Sequence, residues 1–325
     1  MLGTGIGVPA KIFANDDFAK MGLDTNDEWI KTRTGISQRR IAGKNESTSD
    51  LAVKAAEKAI ENAGIDKEDI DLIVVATSTP DYPVFPSTAC LVQAELGLEE
   101  IPAFDISAAC TGFIYAMETA VSMMKVNDYK KVLVIGADAL SKYCDWEDRS
   151  IVVLFGDGAG SVVLGDVDEG YGLLSTYLGA RGQGADKLIV PIGGTKTPLS
   201  ENNIDSKDRF IKMDGRGVYK FAVNVIVDTI EAALKKISLK KEDISFFIPH
   251  QANKRIIDYA AEKLGLNESQ VYVNIGEYGN TSAASIPIAL NEAFEKGLIK
   301  KGDIIVTVGF GAGLTYGANV IKWAK

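Results

Sequence analysis

Short apolar, β-branched runs recur along this chain in two series, and the second series repeats the order and spacing of the first. The first is DLIVVAT (71–77), PAFDIS (102–107), KVLVIGA (131–137) and GSVVLGD (160–166). The second is ISFFIPH (244–250), VYVNI (271–275), GDIIVTVGF (302–310) and TYGANVIKW (315–323). Asp71 opens a strand as Asp243 does, and the strand from Lys131 corresponds to the one from Asp303, each pair about 170 residues apart. That interval is close to half of the 325 residues, so an internal duplication is expected. Runs that are apolar throughout read as strands buried on both faces, and helix-period segments alternate with them, which predicts an α/β protein.

Helices are expected over 48–64, 86–97, 110–125, 217–236, 253–264 and 281–296, with Pro86 suited to a first helical turn. Residues 1–166 form a first half and 213–325 a second. Residues 167–212, rich in Gly, Lys, Asp and Asn, read as the connection between them and as a cap over a pocket. Two such halves packed together bring corresponding loops to a common centre.

Composition narrows the chemistry. The longest apolar runs fall far short of the roughly 18–20 residues a membrane span needs. The N-terminus lacks the basic and apolar segments of a secretory signal, which makes a cytoplasmic protein the expectation. A net charge of −9 disfavours a nucleic-acid binder, so any anionic ligand needs a local basic cluster. The three cysteines, Cys90, Cys110 and Cys144, are far apart and show no CxxC spacing, which fits reduced thiols better than a disulfide framework or a zinc site. His250 is the one histidine, so a His-based metal cluster is excluded and any imidazole chemistry runs through that residue.

Three positions stand where α/β proteins put functional groups, at strand ends and helix starts. Cys110, in FDISAACTGFIYAMETAVSMM, follows a strand and opens a helix with apolar positions at Phe113, Met117, Val121 and Met124. A thiol there meets backbone N–H groups and the positive end of the helix dipole, which favours the thiolate. His250 ends ISFFIPH and leads through Gln251, Ala252 and Asn253 into a helix, and Asn280 sits in EYGNTSAASIPIAL before another. Taken singly, each also has a plain structural explanation: a buried inert thiol, a structural imidazole, and a helix cap or turn.

Together, SAACTGF, PHQAN and GNTSAAS, in that order, resemble the Cys–His–Asn signatures of the β-ketoacyl-acyl carrier protein synthase III family. DTNDEWIKTRTGI, VFPSTAC, FGDGAG and FGAGLTYG fall at the family's places too, so the likeness spans nearly the whole chain. The resemblance implies a thiolase-like fold, its two halves packed as a layered αβαβα core. The activity it implies is a decarboxylative Claisen condensation of an acyl-CoA starter with malonyl-acyl carrier protein, which initiates fatty acid biosynthesis through an acyl-cysteine intermediate. Cys110 would carry the acyl group, with His250 and Asn280 binding the malonyl thioester carbonyl. The backbone N–H groups of Cys110 and Ala312 would form the oxyanion hole. Alanine at 312 replaces the family's usual glycine; it keeps the donor but disfavours positive φ.

The same resemblance implies coenzyme A contacts at Thr25, Trp29, Arg33, Arg149, Gly215, Ala252 and Asn253, with Trp29 stacking on adenine and Arg149 able to sandwich the base or meet phosphate. It implies carrier-protein docking at Lys220, Gln251, Lys254 and Arg255, an acyl pocket shaped by Phe85 from across a dimer interface, and a homodimer. Coenzyme A thioester is implied as substrate, with no permanently bound cofactor and no metal. Elongating synthases of this fold use two histidines and thiolases a second reactive cysteine near 280, and the inventory excludes both. A papain-like Cys–His–Asn hydrolase is disfavoured by the doubled α/β pattern. A non-catalytic scaffold is disfavoured by the presence of all three polar groups. The sequence does not choose among acetyl, branched and longer starters, or between fatty acid and secondary-metabolite pathways.

Overall fold

A computed structural model describes all residues, Met1–Lys325. Its two principal sheets repeat one pattern. In the first, Gly3–Gly7, Asp157–Gly165, Lys131–Ala139, Leu72–Ala76 and Ala103–Ile106 lie side by side, the first two junctions antiparallel and the last two parallel. In the second, Gly172–Ala180, Thr315–Lys322, Ile304–Gly311 and Phe246–Pro249 follow the same order of two antiparallel junctions and a parallel one. A lone parallel bridge from Phe247 to Val271 stands where a fifth strand would be. The duplication expected from the two series is therefore a structural one.

Strand alternation divides the apolar runs between two layers. Leu72, Val74, Ala76, Val132 and Val134 face a central core shared with Phe246, Ile248, Ile305 and Ile321 of the second sheet. Ile73, Val75, Leu133 and Ile135 face the opposite way, under the helix Thr48–Ala63. In the second sheet Phe247, Val306, Val308 and Val320 meet the outer helices Gly215–Lys235 and Lys254–Leu264. The helices Gly112–Asn127 and Ser285–Glu295 fill the space between the sheets. The result is the layered αβαβα order, and it puts the starts of the two central helices at the middle of the molecule.

Three sequence expectations need correction. The segment 167–212 is not wholly a connection: Gly172–Ala180 is the edge strand of the second sheet, paired with Thr315–Lys322. The second half therefore begins there and not at 213. VYVNI (271–275) does not form a strand beyond its bridge. The amide N–H groups of Asn274 and Ile275 donate to Gln251 Oε1 at 3.1 and 3.2 Å, which turns the chain into the short helix Ile275–Tyr278. Pro86 precedes its helix, which spans Thr88–Glu95 and is capped by Ser87, whose side chain accepts from the Cys90 N–H.

Candidate active site

The first sheet delivers Cys110. After Ala103–Ile106 the chain enters a tight turn, Ala109–Thr111, with Ala109 at φ 49°, and then the helix Gly112–Asn127. Gly311 lies against this turn: a Cβ there would sit 2.8 Å from the Cys110 nitrogen. The second sheet delivers His250 directly after Phe246–Pro249, and the turn before Ser285–Glu295 delivers Asn280. Cys110, His250 and Asn280 are all buried, and all three line one cavity of about 100 Å³ together with Phe310 and Gly311.

The polar atoms around them are committed in a definite sense. His250 Nδ1 lies 2.6 Å from Ser285 Oγ, and the imidazole packs edge-on against Phe310 with centroids 5.6 Å apart. Burial lowers the His250 pKa to about 3, so the ring is neutral at physiological pH. Asn280 Oδ1 accepts from the Ser282 N–H at 2.9 Å, which leaves Nδ2 as the free donor of that amide. The main chain of Asn280 is pinned on both sides, its N–H donating to Leu154 O at 2.9 Å and its carbonyl accepting from the Gly156 N–H at 3.0 Å.

Cys110 differs from expectation. Burial pushes its thiol up to about 12; the Ser282 hydroxyl pulls the value back and the Asp138 carboxylate adds to the rise. The resting Cys110 side chain is a protonated thiol, because desolvation outweighs what the helix start supplies. The N–H groups of that start matter only once negative charge develops. Cys144 is also buried with its thiol pKa raised, whereas Cys90 is exposed.

A second cavity, about 310 Å³, opens from the other side of Cys110. Its lining is largely apolar, with Leu140, Phe155, Leu188, Ile189, Val190, Ile192 and Ile211, and Ala312 borders it beside Ala109. Five of these apolar residues belong to 167–212. Ala312 is not among the residues with positive φ; Gly313, at φ 126°, takes that conformation instead, so the alanine is accommodated without strain.

Of the positions expected to meet coenzyme A, Gly215, Ala252 and Asn253 line the smaller cavity. Asn253 also caps its helix, accepting from the Arg255 N–H at 2.9 Å and donating to Arg33 O at 3.0 Å. The guanidinium carbons of Arg33 and Arg149 lie 4.5 and 5.2 Å from the Trp29 ring centroid, too close for a base to lie between Trp29 and Arg149. Arg149 is held there by Asp24, 2.9 Å away. Thr25 Oγ1 is buried without a partner.

Lys220, Lys254 and Arg255 are exposed, and Lys254 is paired with Asp258 at 2.8 Å. Gln251 must be removed from the docking set: it is buried, and its amide donates to Pro249 O and Tyr272 O while accepting from Asn274 and Ile275. Phe85 is 80% exposed and lines neither cavity of its own chain. No three His, Cys, Asp or Glu side chains gather as a metal site, and no helix is long and apolar enough to cross a membrane.

Sequence reasoning missed Ser282, Ser285, Phe310, Gly311 and Asp138. The one available signal was an aspartate and two glycines inside otherwise apolar strand ends, ADA at 137–139 and FGAG at 310–313.

Comparison with known proteins places this arrangement. Residues 104–182 match the family model described as 3-oxoacyl-[acyl-carrier-protein (ACP)] synthase III, and residues 234–323 match the model of its C-terminal part. A β-ketoacyl-[acyl-carrier-protein] synthase III of Caldanaerobacter subterraneus subsp. tengcongensis is 53% identical over 325 residues, covering 100% of this chain and 98% of that protein. The crystal structure of the Aquifex aeolicus 3-oxoacyl-[acyl-carrier-protein] synthase III superposes with a TM-score of 0.90 at 46% identity, over 99% of both chains. That of the Thermus thermophilus synthase III gives 0.92 at 48% identity, over 99% of this chain and 98% of the other. With a full-length relative at this identity and both family models matched across its two sheets, the chain belongs to the β-ketoacyl-[acyl-carrier-protein] synthase III family.

Proposed function

We propose that this chain is an acyltransferase that condenses an acyl-CoA starter with malonyl-acyl carrier protein, releasing CO₂ and forming a β-ketoacyl-acyl carrier protein. The observation that carries the reading is the position of Cys110 at the junction of two cavities. One is an apolar chamber fit for an acyl chain, and the other is a passage holding the only imidazole and a free carboxamide donor.

The chemistry follows from those groups. Cys110 Sγ attacks the acyl-CoA carbonyl; the new C–S bond replaces the bond to coenzyme A, whose thiolate takes the proton that Cys110 gives up. The acyl chain then occupies the apolar chamber. Malonyl thioester enters past Asn253 and Gly215, and its carbonyl oxygen accepts from His250 Nε2 and Asn280 Nδ2. A neutral imidazole suits this task, since it donates a hydrogen bond without spending a proton, and fixed donors stabilise the enolate formed as CO₂ leaves. The carbanion attacks the acyl-Cys110 carbonyl. Its oxyanion is met by the N–H groups of Cys110 and Ala312 until the C–S bond breaks and Cys110 leaves as a thiolate, which takes a proton from solvent water.

Coenzyme A serves as a substrate, and no resident cofactor enters any step. Trp29, Arg33 and Arg149 bind its nucleotide, with Arg149 swinging off the Trp29 ring to admit the base, and Thr25 Oγ1 offers an unused polar atom near it. Lys220, Lys254 and Arg255 dock the acidic carrier protein. The enzyme works as a homodimer in the cytoplasm, and the exposed Phe85 enters the partner's acyl chamber, where burial of its ring replaces contact with water. The test is a panel of straight and branched acyl-CoA primers, each supplied with malonyl-acyl carrier protein. A β-ketoacyl-acyl carrier protein product from at least one primer is expected, and no elongated product from any would overturn the reading.

A further inference from the structure

The duplication places a second copy of the Cys110 turn in the other half, and that copy is already occupied by a carboxyl side chain. The turn Ala109–Thr111 precedes one central helix and the turn Ser282–Ala284 precedes the other. Ala109 and Ser282 are 173 residues apart and share an unusual backbone, φ 49° and 50°. On the same offset Cys110 corresponds to Ala283, and the strand Lys131–Ala139 to Ile304–Gly311, so that Gly136 matches Gly309 and Asp138 matches Gly311. The packing agrees with the match. A Cβ on Gly309 would meet the Cys110 carbonyl oxygen at 3.4 Å, and one on Gly136 would meet the Ala283 carbonyl oxygen at 2.2 Å.

At the Cys110 turn, Gly311 presents no side chain, and the Cys110 N–H is left for the reaction's oxyanion. At the copy, Asp138 stands in Gly311's place and its Oδ2 accepts the Ala283 N–H at 3.1 Å. Its Oδ1 accepts from the Ser78 N–H at 2.8 Å and from the Thr79 and Thr77 hydroxyls at 2.9 and 3.3 Å. Those two hydroxyls accept in turn from the N–H groups of Ala139 and Thr79. Asp138 is fully buried; burial raises its pKa, and the donors around it, the Ser78 and Ala283 N–H groups and the Ser282 and Thr79 hydroxyls, pull it back down. Its oxygens are held by the kind of donors that hold the oxyanion of an acyl transfer.

We propose that Asp138 is a positioning residue whose carboxylate fills the internal copy of the oxyanion hole and thereby fixes the Asn280–Ala283 turn for malonyl decarboxylation. The route is short. Asp138 holds the Ser282–Ala283 peptide, the adjacent Ser282 N–H holds Asn280 Oδ1 at 2.9 Å, and that bond decides which end of the carboxamide is free to donate. Cys110 is set by its own strand and by Gly311, and the clamp reaches its thiol only through the Ser282 hydroxyl and the Asp138 charge, which act on it in opposite directions. The inference rests on the condensing-enzyme reading above.

The test uses full-length Asp138→Gly, which recreates the open form seen at Gly311, and the near-isosteric Asp138→Asn. Acylation of Cys110 by acetyl-CoA is expected to change far less in both than condensation with malonyl-acyl carrier protein, which falls by about 10²-fold, the effect of misplacing a donor by about an ångström. Added formate should restore condensation in Asp138→Gly, entering through the cavity that Ser78, Thr79 and Ser282 line, and should not help Asp138→Asn, whose amide fills the site. Asp138→Asn decides alone if Asp138→Gly does not fold. Wild-type condensation in Asp138→Asn, or equal loss of both half-reactions in a folded Asp138→Gly with no response to formate, would overturn the proposal. Failure of the wild-type protein to acylate would instead count against the functional reading itself.

Discussion

Ser285 Oγ sits 2.6 Å from His250 Nδ1 and accepts from the Gln251 backbone N–H at 3.4 Å, and the proposed chemistry, which needs a donor at Nε2, requires the hydroxyl to donate to Nδ1. That direction leaves Nδ1 without a proton and puts it on Nε2, the nitrogen left to face the passage. Because His250 is the chain's one histidine, nitrogen NMR reads its tautomer without assignment work. Wild type should give one pyridine-type Nδ1 and one pyrrole-type Nε2 resonance, unchanged from pH 8 down to pH 5. Ser285→Ala should mix the tautomers and lower condensation more than acylation. A single Nδ1–H tautomer in wild type would contradict this arrangement.

The elevated Cys110 pKa has a direct kinetic consequence. In a Cys90→Ser background, iodoacetamide labelling of Cys110 should rise by about tenfold per pH unit from pH 6 to 9, following the thiolate fraction of a group that titrates well above this range. A rate that levels off near pH 7 would show a preformed thiolate, with the helix start outweighing desolvation instead of the reverse.

The two half-reactions should separate at His250 and Asn280. His250→Ala and Asn280→Ala are expected to retain acylation and lose malonyl decarboxylation by about 10²–10³-fold, the range for removing one oxyanion-type donor. Equal loss of both half-reactions at His250 would mark it as the base for Cys110 instead.

Much of this molecule is legible in its sequence because the physics is repetitive. Strands buried on both faces must be apolar throughout, and two series of them about 170 residues apart announce two halves. Gly172–Ala180 and Gly3–Gly7 escaped because they carry glycines and polar residues where an edge strand allows them. GTGIG in particular packs its bare Cα atoms against the helix Thr48–Ala63: a Cβ on Gly3, Gly5 or Gly7 would lie 2.1–2.4 Å from that helix's carbonyl oxygens. VYVNI looked like a strand, yet its fate depends on a side chain over twenty residues earlier, Gln251, which also looked like a surface residue. The catalytic candidates were legible as types at strand ends. Their supports were not, since Ser285, Phe310 and Asp138 acquire meaning only from contacts with residues far away in the sequence.

Docking should depend on salt. Arg255→Glu is expected to raise the KM for malonyl-acyl carrier protein with acylation by acyl-CoA nearly unchanged, and the defect should shrink relative to wild type as ionic strength rises. Lys254→Glu should act less strongly, because Lys254 already faces Asp258. A defect of equal size for acyl-CoA would place these residues in the substrate passage.

The central claim is that Cys110 carries the acyl group, and intact-protein mass spectrometry tests it most directly. After incubation with acetyl-CoA, or with the best starter from the primer panel, the wild-type chain should gain the mass of one acyl group and lose it again when malonyl-acyl carrier protein is added. Cys110→Ser should gain nothing, while Cys90→Ser and Cys144→Ser should behave as wild type. An adduct that persists in Cys110→Ser, or a wild-type chain that gains no mass with any starter, would contradict the account.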